Sequence, residues 1–212
     1  MPPADPWVLF DIDGTLVDSS RLIVRVWRQV AAEFGADAEA ILAECHGRRD
    51  AEIVPMFFRA PDVAAVLARI QELEAAGGDL LRPVPGAPEL LASLAPERWA
   101  AVTSGPSGLM TGRLRAAGLP VPAVLVAADH VERGKPDPEG YLAAARALGA
   151  DPGACVVVED APAGVAAGRR AGMFVAAVTT THTPGQLEGA DVVLDRLADL
   201  GKALAGAAVR GA

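Results

Sequence analysis

The chain has 212 residues, 51% of them hydrophobic, enough to bury a sizeable core in one large domain or a domain with an insertion. Its net charge of −8, with acids and bases interspersed, excludes the basic face of a nucleic-acid-binding protein and reads as solubility. No run approaches the roughly 20 apolar residues of a membrane span, and the start "MPPADPWVLF" has neither the basic opening nor the long apolar stretch of a signal peptide.

The two cysteines, Cys45 and Cys155, lie far apart without metal-ligand spacing. A disulfide is not expected. The expectation is a cytoplasmic, monomeric protein with no membrane or nucleic-acid partner. Aromatic residues make up 4% of the chain, so its core must be built mostly from Ala, Val and Leu.

In chain order, "WVLF" (7–10) opens as a strand. It is a continuous apolar run, as suits a strand covered on both faces. The segment 19–83 then reads as almost wholly helical, over 20–35, 37–47, 51–58 and 63–78, with no strand signal. In the first of these, Leu22, Ile23, Val26, Val30 and Phe34 recur at helical spacing, and Trp27 and Phe34 are expected in the core. "RPVPGAP" (82–88), stiffened by three prolines, reads as the return hinge.

Apolar strand runs resume at "WAAVT" (99–103), "AVLVA" (123–127), "CVVVE" (155–159), "MFVAAV" (173–178) and "DVVL" (191–194). Helical stretches at 107–118, 138–149 and 162–172 separate the earlier ones, each closing on glycine. This alternation predicts a doubly wound, Rossmann-like α/β core with a parallel sheet, formed by 1–18 and 84–212. Residues 19–83 would be an inserted helical cap subdomain. The tail "KALAGAAVRGA" is expected to fray.

Chemistry gathers at the predicted strand ends, where open parallel sheets bind ligands. Asp11 and Asp13 follow the first strand, one residue apart. Two acids so placed repel unless a cation such as Mg²⁺ lies between them; "DxDG" alone could equally be a solvated turn. Gly14 and Thr15 supply a turn whose N–H groups can face an anion. Thr103 and Ser104 follow the second core strand and can donate to phosphate oxygens, or cap the next helix. Lys135 stands between glycine and proline in a loop, suited to neutralising phosphate or simply exposed. Glu159 and Asp160 end a buried strand, where adjacent acids bind a cation or cap the following helix. The ordered set of acid pair, hydroxyls, lysine and acid pair is what Mg²⁺-dependent phosphoryl transfer requires.

The stretches "DIDGTLVDS", "VTSG", "GKPDPEGY" and "VVVEDAPAGVAAGRRAG" resemble the four motifs of the haloacid dehalogenase superfamily. The resemblance is to its phosphatases and phosphomutases with a small helical cap, and it covers nearly the whole chain. "CHGRRDAEIVPMF" (45–57) and the segment from Thr179 to Leu200 look most like sugar-phosphate and polyol-phosphate phosphatases.

The resemblance implies that Asp11 is the nucleophile and Asp13 the general acid, then base. Thr103 and the Ser104 backbone N–H would hold the phosphoryl oxygens, and Gly14 would help cradle the ester. Lys135 would neutralise charge, and Asp160, with Glu159, would complete a Mg²⁺ site with Asp11 and the Asp13 carbonyl. In the cap loop, His46 would meet a substrate hydroxyl, and Arg48 or Arg49 would contact phosphate or close the cap. His130 and His182 are not expected to be catalytic. The implied activity is hydrolysis of a small phosphorylated metabolite. A β-phosphoglucomutase-type phosphomutase would share the same core residues, and a non-catalytic binding domain would share the fold.

Overall fold

The computed structural model describes residues 2, 3 and 5–209. Six apolar runs pair side by side as β1 (Trp7–Phe10), β4 (Trp99–Val102), β5 (Leu125–Val126), β6 (Cys155–Glu159), β7 (Phe174–Val178) and β8 (Val192–Leu194), in the order β5-β4-β1-β6-β7-β8. All five pairings are parallel.

Because side chains alternate along a strand, β1 feeds two cores. Val8 and Phe10 enter one face with Trp99, Val156 and Val158. Leu9 enters the other with Ala100, Val157 and Tyr141. Both faces are covered, which is why these strands read as unbroken apolar runs. Fully burying a side chain such as Phe10 or Leu9 contributes about 1.5–3 kcal/mol, and both are 0% exposed.

Helices α5 (Ala87–Ser93), α6 (Ser107–Ala116), α7 (Glu139–Ala147), α8 (Pro162–Arg170) and α9 (Leu200–Val209) belong to this α/β unit. Between β1 and β4 the chain leaves it to build α1 (Ser20–Phe34), α2 (Ala38–Leu42), α3 (Asp50–Phe57) and α4 (Val63–Ala76). The apolar stripe of α1 buries Leu22, Val26, Trp27 and Val30. Phe34 meets Phe58 edge to face at 6.3 Å. Gly35, at φ 75°, ends α1 in the left-handed conformation that favours glycine.

Three local expectations change. The helix expected over 37–47 covers only Ala38–Leu42, after which the chain turns through Cys45, His46 and Gly47. The insertion is not bounded by bare hinges: β2 (Val17–Asp18) and β3 (Arg82–Pro83) pair antiparallel, Val17 opposite Pro83 and Asp18 opposite Arg82. So short a ribbon, with a proline in one of its two strands, carries no periodic signal; Pro83 is tolerated because the ribbon is only two strands wide. Behind it, Pro88 sits in the first turn of α5, where a missing N–H leaves nothing unpaired. Finally, the tail is helical through Val209, with Leu200 buried and Leu204 packed on the core; its last residues, 210–212, lie outside the described residues.

Both cysteines are buried free thiols. None of the described helices is long and apolar enough to cross a membrane.

Candidate active site

Adjacent parallel strands bring their carboxyl ends to one edge, and that edge collects the candidate residues. Asp11 follows β1, Thr103 follows β4, Glu159 ends β6 with Asp160 next, and Lys135 lies in the loop beyond β5. The Lys135 ammonium donates to Asp11 Oδ1 at 2.5 Å and to the Val102 carbonyl at 3.1 Å. It also pairs with Glu159 Oε1 at 2.6 Å. Lys135, Asp11, Glu159 and Asp160 are all buried. Oxygens of Asp11, Glu159 and Asp160 lie within 4.8 Å of one another.

Three carboxylates facing one ammonium leave excess negative charge in a dry pocket. Burial pushes the Asp11 carboxyl up to about 8, against the pull of Lys135 and with further push from Glu159. Burial, then Asp11 and Glu159, hold Asp160 well above the ordinary carboxylate range. Burial works against the Lys135 charge too, but Asp11 and Glu159 outweigh it and raise its pKa. A cluster that resists full ionisation is one that a small, hard cation relieves, and its donors are all oxygens, as Mg²⁺ prefers. The residues therefore fit the metal that the fold implies. Glu159 has the least to offer: Oε1 accepts from Tyr141 at 2.6 Å besides meeting Lys135, and Oε2 accepts the Asp160 and Ala161 N–H groups.

The turn after β1 is shaped around this cluster. Gly14 has φ 81°, and a Cβ there would run into the Asp160 carboxylate. Asp160 is steadied by the hydroxyls of Thr181 and, at 3.5 Å, Thr15. Gly14→Ala is expected to destabilise the protein by about 1–3 kcal/mol through the left-handed backbone alone, and to displace Asp160. Thermal unfolding without added metal reads this; an unchanged midpoint would contradict the described turn.

Asp13 stands apart from that cluster, in the wall of a cavity between core and insertion. Its other lining residues include Asp11, Thr103, Ser104, His46 and Arg48. The cavity is about 60 Å³. The cap loop is tied to the core: Ser104 donates its hydroxyl to the Gly47 carbonyl at 2.9 Å. The two arginines divide. Arg48 lines the cavity, beside Glu44 and Glu52. Arg49 does not line it; its guanidinium donates to the Glu132 and Val131 carbonyls of the core at 3.0 and 3.1 Å. His46 meets His182 edge to face, ring centroids 5.7 Å apart, and burial, then His182, lowers its pKa. His182 itself lies 3.0 Å from the Asp160 carbonyl. His130 is engaged locally with the Leu125 carbonyl and the Ala127 N–H. Trp27 is buried, yet it also lines the cavity.

Sequence reasoning passed over Arg113, Glu74, Asp50, Tyr141 and Thr181. Arg113 and Glu74 read as ordinary polar positions on helices. Asp50 and Thr181 lie inside the stretches 45–57 and 179–200 quoted for their resemblance, and Tyr141, the chain's single tyrosine, ends the quoted lysine motif, but within those stretches nothing marked the three individually.

A parallel sheet of this order, with its acids at the carboxyl edge and a helical insertion after the first strand, defines a Rossmann-like α/β core of the haloacid dehalogenase kind. The haloacid dehalogenase-like hydrolase pattern matches residues 6–172. The chain is 42% identical to hexitol phosphatase A of Escherichia coli, over 89% of this chain and 90% of that protein. It is 38% identical to validoxylamine A 7'-phosphate phosphatase of Streptomyces hygroscopicus, over 91% and 94%. Among solved structures, a hydrolase from Pseudomonas syringae superimposes with TM-score 0.86 at 27% identity, covering 95% and 98% of the two chains. The chain belongs to the haloacid dehalogenase-like hydrolases, and it is a phosphoric monoester hydrolase.

Proposed function

We propose that the protein is a Mg²⁺-dependent phosphatase of small phosphorylated sugars or polyols, acting in the cytoplasm as a monomer through an aspartyl-phosphate on Asp11. One observation carries the reading: Asp11, held by buried Lys135 beside Asp160, shares its cavity with a second acid, Asp13, and with polar residues of the cap loop. The names of the two relatives, a hexitol phosphatase and a validoxylamine A 7'-phosphate phosphatase, support the substrate class.

In this reading an Asp11 carboxylate oxygen attacks phosphorus and the bond from phosphorus to the alcohol oxygen breaks. Asp13 gives that oxygen its proton. Asp13 then takes a proton from the water that attacks the aspartyl-phosphate, and inorganic phosphate leaves. Lys135 balances charge on Asp11 throughout. Thr103 and the Ser104 N–H hold phosphoryl oxygens, since the Ser104 hydroxyl is committed to Gly47. Gly14 leaves the room that the ester and Asp160 need. Asp11, Asp160 and the Asp13 carbonyl would hold Mg²⁺, with Glu159 anchoring Lys135. When bound, the cation screens the repulsion between anionic nucleophile and anionic phosphate. His46 and Arg48 line the alcohol side of the cavity.

A cavity of about 60 Å³ is small beside the roughly 300 Å³ at which ligand pockets usually start, so the reading includes a lifting of the cap before substrate enters. The ribbon formed by β2 and β3 is the place to bend.

Phosphate release is measured across phosphates of hexitols, hexoses, pentoses, glycerol and glycolate, with Mg²⁺. The expected result is steady release, fastest from a polyol or sugar monophosphate. Interconversion of isomers without release would replace the reading with a phosphomutase, and no turnover of any ester would leave a binding protein.

A further inference from the structure

Arg113, on core helix α6, is among the most buried charged side chains in the molecule, at 4% exposure. One terminal nitrogen, Nη1, lies 2.5 Å from Asp13 Oδ1. The other, Nη2, donates to Glu74 Oε1 on cap helix α4 at 2.5 Å. The remaining donor, Nε, is buried without a hydrogen-bond partner, and so is Asp13 Oδ1, which the guanidinium approaches without hydrogen-bond alignment.

A rigid, planar guanidinium holding two carboxylates fixes their relative positions. Here one carboxylate is the second acid of the site and the other belongs to the lid. Arg113, Asp13 and Glu74 all line the cavity. When the cap lifts, Glu74 must leave Arg113, while Asp13 and Arg113, both on the core, keep each other. Shutting the cap brings the Glu74 carboxylate back onto the second terminal nitrogen of Arg113.

We propose that Arg113 is a positioning residue that sets the Asp13 carboxyl group to give its proton to the departing alcohol oxygen, and that Glu74 completes the setting only when the cap is shut. The proposal rests on the role of Asp13 given above. Chemistry with an alcohol leaving group then waits for closure, because only the closed lid fixes the guanidinium at both ends.

The test exploits leaving groups. A sugar or polyol phosphate expels an alkoxide that must be protonated, whereas para-nitrophenyl phosphate expels a stable phenolate that needs no proton. Comparing kcat/KM confines the readout to steps through release of the alcohol and leaves out hydrolysis of the aspartyl-phosphate. In Arg113→Met, kcat/KM for the best polyol phosphate is expected to fall about 100-fold. The value for para-nitrophenyl phosphate should change by less than about threefold, because positioning of a proton donor is all that is lost. Glu74→Gln keeps the Arg113–Asp13 pair and carries the test should Arg113→Met not fold. It is expected to show the same selectivity at about tenfold. Parallel losses on both substrates, or no loss on either, would overturn the proposal. A wild-type protein inert towards both esters would instead overturn the phosphatase reading on which it rests.

Discussion

Asp11→Asn is expected to lower kcat for phosphate release by on the order of 10⁴-fold or more, because the amide cannot form the acyl-phosphate bond. The same substitution should leave the metal-free protein as stable as wild type, or more so. Asp11 is one of three buried carboxylates around a single ammonium. Burial has already pushed its carboxyl up to about 8. Replacing it with a neutral group of the same shape removes repulsion, while Lys135 keeps Glu159 as its partner at 2.6 Å. Loss of activity together with equal or higher stability is the pattern of a group held for chemistry at the expense of the fold. Paired assays of phosphate release and thermal unfolding check both halves. Undiminished turnover would dismantle the mechanism.

Chelation is the second large effect. Stripping Mg²⁺ with EDTA should abolish turnover, and Mg²⁺ should restore it. The stability signature follows from the same charges. The Asp11 carboxyl has a folded pKa of about 8 against 3.8 in the unfolded chain. The folded protein therefore holds a proton between those values that the unfolded chain has lost. Its stabilising effect is complete below about pH 4 and disappears as pH rises through about 8. Asp160, Glu74 and Asp50 are raised by burial as well, Glu74 to about 7 and Asp50 to about 6, and push in the same direction. Metal-free protein should thus melt lower at pH 8 than at pH 5.5, with a slope of at most about 1.4 kcal/mol per pH unit per group. Mg²⁺ binds the ionised carboxylates, so its stabilisation should be larger at pH 8, about 2.7 kcal/mol at a hundredfold excess over Kd. A metal-free melting temperature that climbs across that interval would contradict the charge balance described for the cluster.

What could be read from the residues alone was whatever repeats or interrupts a pattern. The strands of the sheet are apolar runs because both faces are covered, and their polar ends are conspicuous for that reason. Asp11, Thr103, Glu159 and Asp160 stand out as polar groups closing buried strands, and Lys135 stands between glycine and proline in a loop. The geometry that brings them together depends on strand order, which no local window contains. Arg113 and Glu74 illustrate what was hidden. Each occupies a helix position where a charged residue is ordinarily solvated, and only the fold brings the two together as a largely buried ion pair across the boundary between insertion and core. The β2–β3 ribbon was hidden for another reason: two residues per strand are too few to show any periodicity. In the cap loop the residue types were informative but their partners were not. Arg48 and Arg49 are neighbours in the chain, yet one lines the cavity and the other grips carbonyls of the core.

The pairing of Val17 with Pro83 and Asp18 with Arg82 has a further meaning for how such an enzyme can diversify. Where the detour of the chain departs and where it rejoins are stitched to each other, so the central sheet meets the same two-stranded stem whatever lies beyond it. Lengthening a loop between α2 and α3, or exchanging the residues that face the alcohol, alters the far side of that stem and leaves the strand register untouched. A transplanted insertion would enter and leave through the same stem, but it would have to keep the contacts that bind it to the core, Glu74 with Arg113, Gly47 with Ser104 and Arg49 with the Val131 and Glu132 carbonyls.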